Sequence, residues 1–213
     1  MRKFIRKEEL RPFLKDGMTI MVGGFLANGS PERLIDAVLE AGVSHLTIIA
    51  NDGGWEDKGV GRLIVAGRVA KLIASHIGTN PTAGRMMSEG TLVVDLVPQG
   101  TLVEQIRAKG AGLGGILTPT GLGTIVQEGK TVLTVAGVDY LLETPLGADL
   151  ALIGGAVADR FGNLRYRGSM RNFNPIMALA ADLVVAEPAE ILTELDPECV
   201  ITPHPLVDFI LEV

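Results

Sequence analysis

The sequence predicts an α/β fold: a mainly parallel open sheet flanked by helices, with a small β-hairpin insertion. Three observations carry this. Apolar, β-branched runs recur along the chain, most of them continuous rather than alternating, as in strands buried on both faces. Helix-patterned segments separate several of these runs, which is βα alternation. The 27 glycines among 213 residues are dispersed at turns, without collagen period or low complexity. Residues 1–213 read as a single domain, with no internal repeat and no strong boundary.

The first strand is "TIMV" (19–22), closed by Gly23 and Gly24. A helix over 31–41 follows. Ser30 is its expected N-cap and Pro31 suits the first helical position. Leu34, Ile35, Val38 and Leu39 form an apolar stripe at helical spacing, and Gly42 suits the C-terminal cap. Further strands are expected at 46–50, 71–75, 92–97, 131–135, 150–156 and 183–187. Met86 and Met87 read as core. A second helix is expected over 101–110, ended by Gly110. The stretch 110–123 holds six glycines and one proline, too many for a helix. Its apolar residues point to a loop packed against the sheet. Residues 131–143 read as a hairpin around Gly137 near the sheet edge. A third helix is expected over 174–181, with Asn172 and Asn174 as cap candidates.

Composition narrows the function. The chain is 47% hydrophobic and 4% aromatic, with a net charge of −6 and no basic stripe interleaved with aromatics. That argues against nucleic acid as a partner. One cysteine, Cys199, excludes an intrachain disulfide framework and supplies no metal cluster. It reads as a packing residue rather than a nucleophile. The charged start shows no apolar leader, and no run approaches bilayer length, so no membrane association and a cytoplasmic location are expected.

The turn after the first strand invites a phosphate reading. Gly23, Gly24 and Gly29 do not fit the dinucleotide fingerprint. Gly24 and Gly29 match half of a P-loop, but Ser30-Pro31 stands where that loop needs a lysine and a hydroxyl residue. An NTPase is therefore disfavoured. What remains is a tight turn into a helix whose first amides attract an anion, an effect of about 0.3–1 kcal/mol. A plain turn, with glycines only relieving crowding, explains the spacing equally well.

The longer string "DGMTIMVGGFLANGSP" (16–31) resembles the signature of the family I coenzyme A transferases: an Asp-Gly pair, an apolar strand, then G-G-F-x-x-x-G-x-P. The likeness continues through "NDGG", "SHIGTNP", "VPQGTLVEQIRAKGAGLGGILTPTGLGT" and "RNFNPIMALAAD", covering nearly the whole chain. It is strongest to the α subunit of acetate/butyrate–acetoacetate CoA-transferases. The resemblance implies a fold shared with some sugar-phosphate isomerases. It also implies a CoA-binding segment on Gly24, Phe25, Leu26, Ala27, Asn28, Gly29 and Ser30. Asn51 and Gln99 fall on family positions near the acyl or carboxylate group. Both are neutral donors suited to an oxyanion. Alone, Asn51 reads as an Asx turn and Gln99 as part of the turn before a helix; the resemblance is what favours the functional role.

The family's nucleophile is a glutamate in a Glu-Asn-Gly motif on the β half, and this chain has no Glu-Asn-Gly. The resemblance thus implies a chain inactive alone, working with a β subunit in a heterotetramer of two α and two β subunits. It implies CoA and acyl-CoA as substrates, with no permanently bound cofactor and no metal. Leu113, Ile116 and Leu117 are expected to wall a short aliphatic acyl pocket, which favours acetate, butyrate and acetoacetate. Arg85 and Arg107 are the candidates for clamping a second carboxylate, which a succinyl-CoA (3-oxoacid) transferase would need. A non-catalytic sugar-phosphate-binding module is the alternative from another class. His76 has no evident chemical role and reads as structural.

Overall fold

The computed structural model describes residues 3–213. Residues 1–2, the start of the segment read above as lacking an apolar leader, lie outside the described residues. The elements run β1 (Phe4–Ile5), β2 (Thr19–Val22), α1 (Glu32–Ala41), β3 (Leu46–Ala50), α2 (Gly61–Val65) and β4 (Val69–Ala74). There follow α3 (Pro81–Ser88), β5 (Val93–Leu96), α4 (Gln99–Gly110), β6 (Ile116–Thr118), β7 (Val132–Val135) and β8 (Val138–Glu143). The chain closes with β9 (Ala148–Asp159), β10 (Leu164–Arg165), α5 (Asn174–Met177), β11 (Ala181–Leu192) and β12 (Phe209–Leu211).

The main sheet has the order β1-β12-β11-β9-β2-β3-β4-β5, with every neighbour parallel and β10 paired antiparallel to β9. Its strands read as continuous apolar runs because both faces are covered. Ile20, Val22 and Ile48 enter one core with Leu34, Ile35 and Val38 of α1. The alternate residues Met21 and Ile49 enter a second core with Leu102 and Ile106 of α4. Strands β9 and β11 are each 12 residues long and pair along their full length. Since β2 reaches only Leu152 of β9, the two strands continue as a ribbon beyond the carboxyl edge of the sheet. No helix among the described residues is long and apolar enough to cross a membrane.

The hairpin expected at 131–143 is present, turning through Ala136 (φ 51°) and Gly137 (φ 77°). It joins β6 in a separate three-stranded sheet of order β6-β8-β7 rather than extending the main one. Glu143, 3% exposed, fastens this sheet to α4. It accepts from Gln105 Nε2 at 3.1 Å and Lys130 Nζ at 2.6 Å.

Several expectations are corrected. The stretch 110–123 is not packed against the main sheet: it supplies β6, and Leu113 and Leu117 are exposed. The helix placed at 101–110 begins two residues earlier, so Gln99 lies in its first turn. The helix expected over 174–181 is one turn, because β11 starts at Ala181. Asn172 and Asn174 do not cap α5, whose N-cap position is held by Phe173; Asn172 bonds to Ser169, Phe173 and Asn28, and Asn174 to Met170, Gly29 and Gly154. Met86 packs on the core but Met87 is exposed. Ser30 does not cap α1. Pro31 holds the N-cap position without a side-chain bond, and the amides of Arg33 and Leu34 donate to Glu187 of β11 at 3.2 and 2.9 Å. At the other end Gly42 takes the left-handed cap as expected.

Candidate functional site

Open parallel sheets place ligands at the carboxyl ends of their strands. Here the loops following β2, β3, β4 and β5 meet along that edge. After β2 the chain makes a two-residue turn. Phe25 and Asn28 exchange N–H···O bonds of 3.1 and 2.8 Å, with Leu26 (φ 50°) and Ala27 (φ 63°) between them. Such a turn ordinarily takes Asn-Gly. Two left-handed side-chain residues cost about 1–3 kcal/mol each, so the surroundings must impose the shape. They do. Asp52 Oδ2 accepts from Leu26 N at 2.9 Å, and Trp55 Nε1 donates to the Leu26 carbonyl at 3.2 Å. Asn28 Nδ2 bonds to Ser169 Oγ, and Asn172 Nδ2 donates to the Asn28 carbonyl. Asn174 Nδ2 donates to the Gly29 carbonyl.

Close packing explains the glycines. A Cβ on Gly23 would lie 1.7 Å from Asn174 Oδ1, and one on Gly29 would lie 2.9 Å from the Met170 backbone. Asn174 is fully buried and its Oδ1 also accepts from the Gly154 amide. It is thus the joint between the β2 turn and the β9–β11 ribbon.

The turn therefore has an unequal hydrogen-bond ledger. The carbonyls of Leu26, Asn28 and Gly29 are each taken by a side-chain donor. The amides of Gly24, Ala27 and Gly29 donate to no acceptor among the described residues. What remains open is donors, which suit phosphate, carboxylate or amide oxygens. The helix start expected to share this task does not. Its amides are occupied by Glu187, whose own pKa burial raises despite those two bonds.

Asn51 and Gln99, 48 residues apart in sequence, meet: Gln99 Nε2 donates to Asn51 Oδ1 at 3.0 Å. Asn51 is 2% exposed, and its carbonyl accepts both the amide (2.9 Å) and the hydroxyl (2.6 Å) of Ser75 after β4. With Oδ1 so occupied, Asn51 Nδ2 is left without a protein acceptor among the described residues. The pair is accordingly a neutral donor site next to the donor-rich turn. Leu113 and Leu117 are exposed, and Ile116 stands opposite Glu143, the residue that Gln105 of α4 holds. Arg107 pairs with Glu104 at 3.0 Å, and Arg85 with Glu89 at 4.0 Å. His76 contributes only its backbone, whose carbonyl accepts from Gly53 N.

Sequence reading passed over Asp52, Trp55, Ser169 and Glu187. Only Asp52 carried a signal, as the acidic member of "NDGG". The others act across 29 to 154 residues of chain, beyond any local pattern. Among the described residues no group of three or more His, Cys, Asp or Glu side chains is placed to hold a metal ion.

A sequence model described as coenzyme A transferase matches residues 6–213. The chain is 56% identical over 211 residues to the acetate CoA-transferase subunit alpha of Escherichia coli, covering 98% of this chain and 96% of that one. It is 50% identical over 212 residues to the acetoacetyl-CoA:acetate/butyrate CoA transferase alpha subunit of Clostridium acetobutylicum, covering 99% and 97%. Among solved structures, glutaconate coenzyme A-transferase from Acidaminococcus fermentans superposes with a TM-score of 0.85 at 18% identity. That match covers 98% of this chain and 75% of that one, and it speaks for the fold alone.

Proposed function

The chain belongs to the coenzyme A transferase family, and from that premise we propose that it is the α half of a two-subunit enzyme. The enzyme moves CoA from a short-chain acyl-CoA to a free carboxylate, with acetate or butyrate and acetoacetate as the acids. The two relatives named for acetate and acetate/butyrate support that choice over a succinyl donor.

The reaction follows from the chemistry of thioesters. A glutamate of the partner subunit attacks the acyl-CoA carbonyl, giving an acyl–glutamyl anhydride and CoA thiolate. The thiolate attacks the glutamyl carbonyl, leaving an enzyme–CoA thioester and releasing the first acid. The second acid attacks that thioester, and the thiolate then takes up its acyl group. Each tetrahedral step puts negative charge on one oxygen, and a pre-aimed neutral donor stabilises it. This chain supplies that donor: Gln99 holds Asn51 Oδ1, so Asn51 Nδ2 points to the reacting oxygen. The amides of Gly24, Ala27 and Gly29 take polar oxygens of CoA. Thioester energy is conserved throughout, so the chain needs no metal and no bound cofactor.

The observation that carries the proposal is the Gln99–Asn51 bond of 3.0 Å beside a turn with three unspent amides. In the assembled complex, Gln99→Ala should lower kcat about tenfold to a hundredfold while subunit association is unchanged, on the scale of losing support for one oxyanion donor. Steady-state rates and sedimentation of one sample test it. Full turnover in the variant would remove the pair from the chemistry.

A further inference from the structure

Residues 160–171 contain Arg160, Arg165, Arg167 and Arg171 and no acidic residue, in a chain whose net charge is −6. Arg160 stacks over the Phe161 ring at 4.6 Å. Arg165 and Arg167 form no ion pair or hydrogen bond through their side chains among the described residues and are exposed. Two residues apart, they line one cleft of about 730 Å³ on the ribbon of β9 and β11, together with Ala156, Met170, Ala189 and Glu190. Between them Tyr166 also lines the cleft, and its hydroxyl is tied to Thr202 Oγ1 at 2.6 Å. The segment is therefore anchored, with the two guanidinium groups left on the open side.

The cleft is continuous with the candidate site. Met170 lines it and also packs on Gly29, and Ser169 bonds to Asn28. Along the sheet the order is the arginine cleft over β9 and β11, then the turn after β2, then Asn51 after β3. At about 4.8 Å per strand, β11 and β3 are about 14 Å apart. The surface thus offers cations at one end, backbone donors in the middle and an oxyanion donor at the other end. An elongated ligand with multiple negative charges on one end and a reactive carbonyl on the other matches that order.

We infer that Arg165 and Arg167 bind the phosphate groups on the nucleotide end of the CoA thioester. This rests on the transferase reading above. Glu190 is the one acidic residue lining the cleft, set against its two arginines. Guanidinium forks suit phosphate through paired, charge-assisted bonds.

The test uses the complete complex with its partner subunit and the double variant Arg165→Gln/Arg167→Gln. We expect the KM for acyl-CoA and the calorimetric Kd for CoA to rise about tenfold or more, with kcat held. The same acyl group on pantetheine, which lacks the nucleotide and its phosphates, should react equally with both proteins. An equal loss with acyl-pantetheine, an unchanged Kd for CoA, or a variant that no longer co-elutes with its partner would overturn the inference. The last result would mark the cleft as a subunit contact. Arginine-dependent CoA binding by a wild-type complex that transfers no acyl group would uphold the cleft and refute the transferase reading instead.

Discussion

Asn51 shows how a short polar side chain gains direction. Its carbonyl is held by Ser75 and its amide oxygen by Gln99, which leaves one N–H pair uncommitted. Asp52, the next residue, performs the matching task for the strained turn, accepting from Leu26 N and Gly54 N. Asp52→Ala leaves both amides without that acceptor and should lower stability by about 2 kcal/mol, read by urea denaturation. Faster amide exchange at Leu26 should accompany the loss, and unchanged exchange there would show that the turn does not depend on Asp52. Asp159 gives a pH signature. Burial acts to raise its carboxyl, but the bonds from Asn163 and from the Phe161 amide outweigh it and hold the pKa below its ordinary value. A depressed carboxyl adds stability that is complete above the unfolded pKa of about 3.9 and is lost as pH falls through the folded one. Asp159→Asn should therefore flatten the acid limb of the stability curve below about pH 4, and an unaltered limb would contradict this assignment. Asn51 and Gln99 were legible as candidates because their motifs are local strings. Their bond was not, because it closes only when β3 and the start of α4 come together at the sheet edge.

At the scale of elements, the longer strands of the main sheet were legible, whereas the short strands β1, β10 and β12 and the ends of the helices were not. Runs such as "TIMV" and "LTIIA" are apolar at all but one position because alternate residues serve two cores. The start of α1 was misread because its cap comes from Glu187, which is remote in sequence. Glu187→Ala should destabilise the protein by about 1–2 kcal/mol in chemical denaturation, the usual size of a lost N-cap. Its pH effect runs opposite to that of Asp159. Burial raises its pKa, so its contribution to stability declines as pH rises through that raised value. The small sheet hangs on Glu143, which is buried between Gln105 and Lys130. Glu143→Ala strands both partners. It should speed amide exchange across β7 and β8 and cost about 3 kcal/mol. Exchange confined to its wild-type rate would show that the sheet is held by other contacts. The glycine-rich stretch 110–123 was misplaced because its apolar residues were taken as a sign of burial. Two of them, Leu113 and Leu117, are instead exposed on or beside β6.

For the whole molecule, the parallel order was predictable from βα alternation, but the ribbon of β9 and β11 was not. Nothing local tells a strand to continue beyond its neighbours, and that extension is what raises Arg165 and Arg167 beside the turn after β2. The basic stretch 160–171 likewise escaped notice within an acidic composition. The molecule so built presents donors and cations along one edge and contains no Glu-Asn-Gly string. We propose that it is half a site, completed by another polypeptide. The most direct measurement incubates this chain, its partner and their mixture with acyl-CoA, then adds borohydride and locates the reduced residue by mass spectrometry. Acyl exchange and labelling are expected only in the mixture, with the label on a glutamate of the partner. Exchange by this chain alone, or label on any of its own carboxylates, would contradict it.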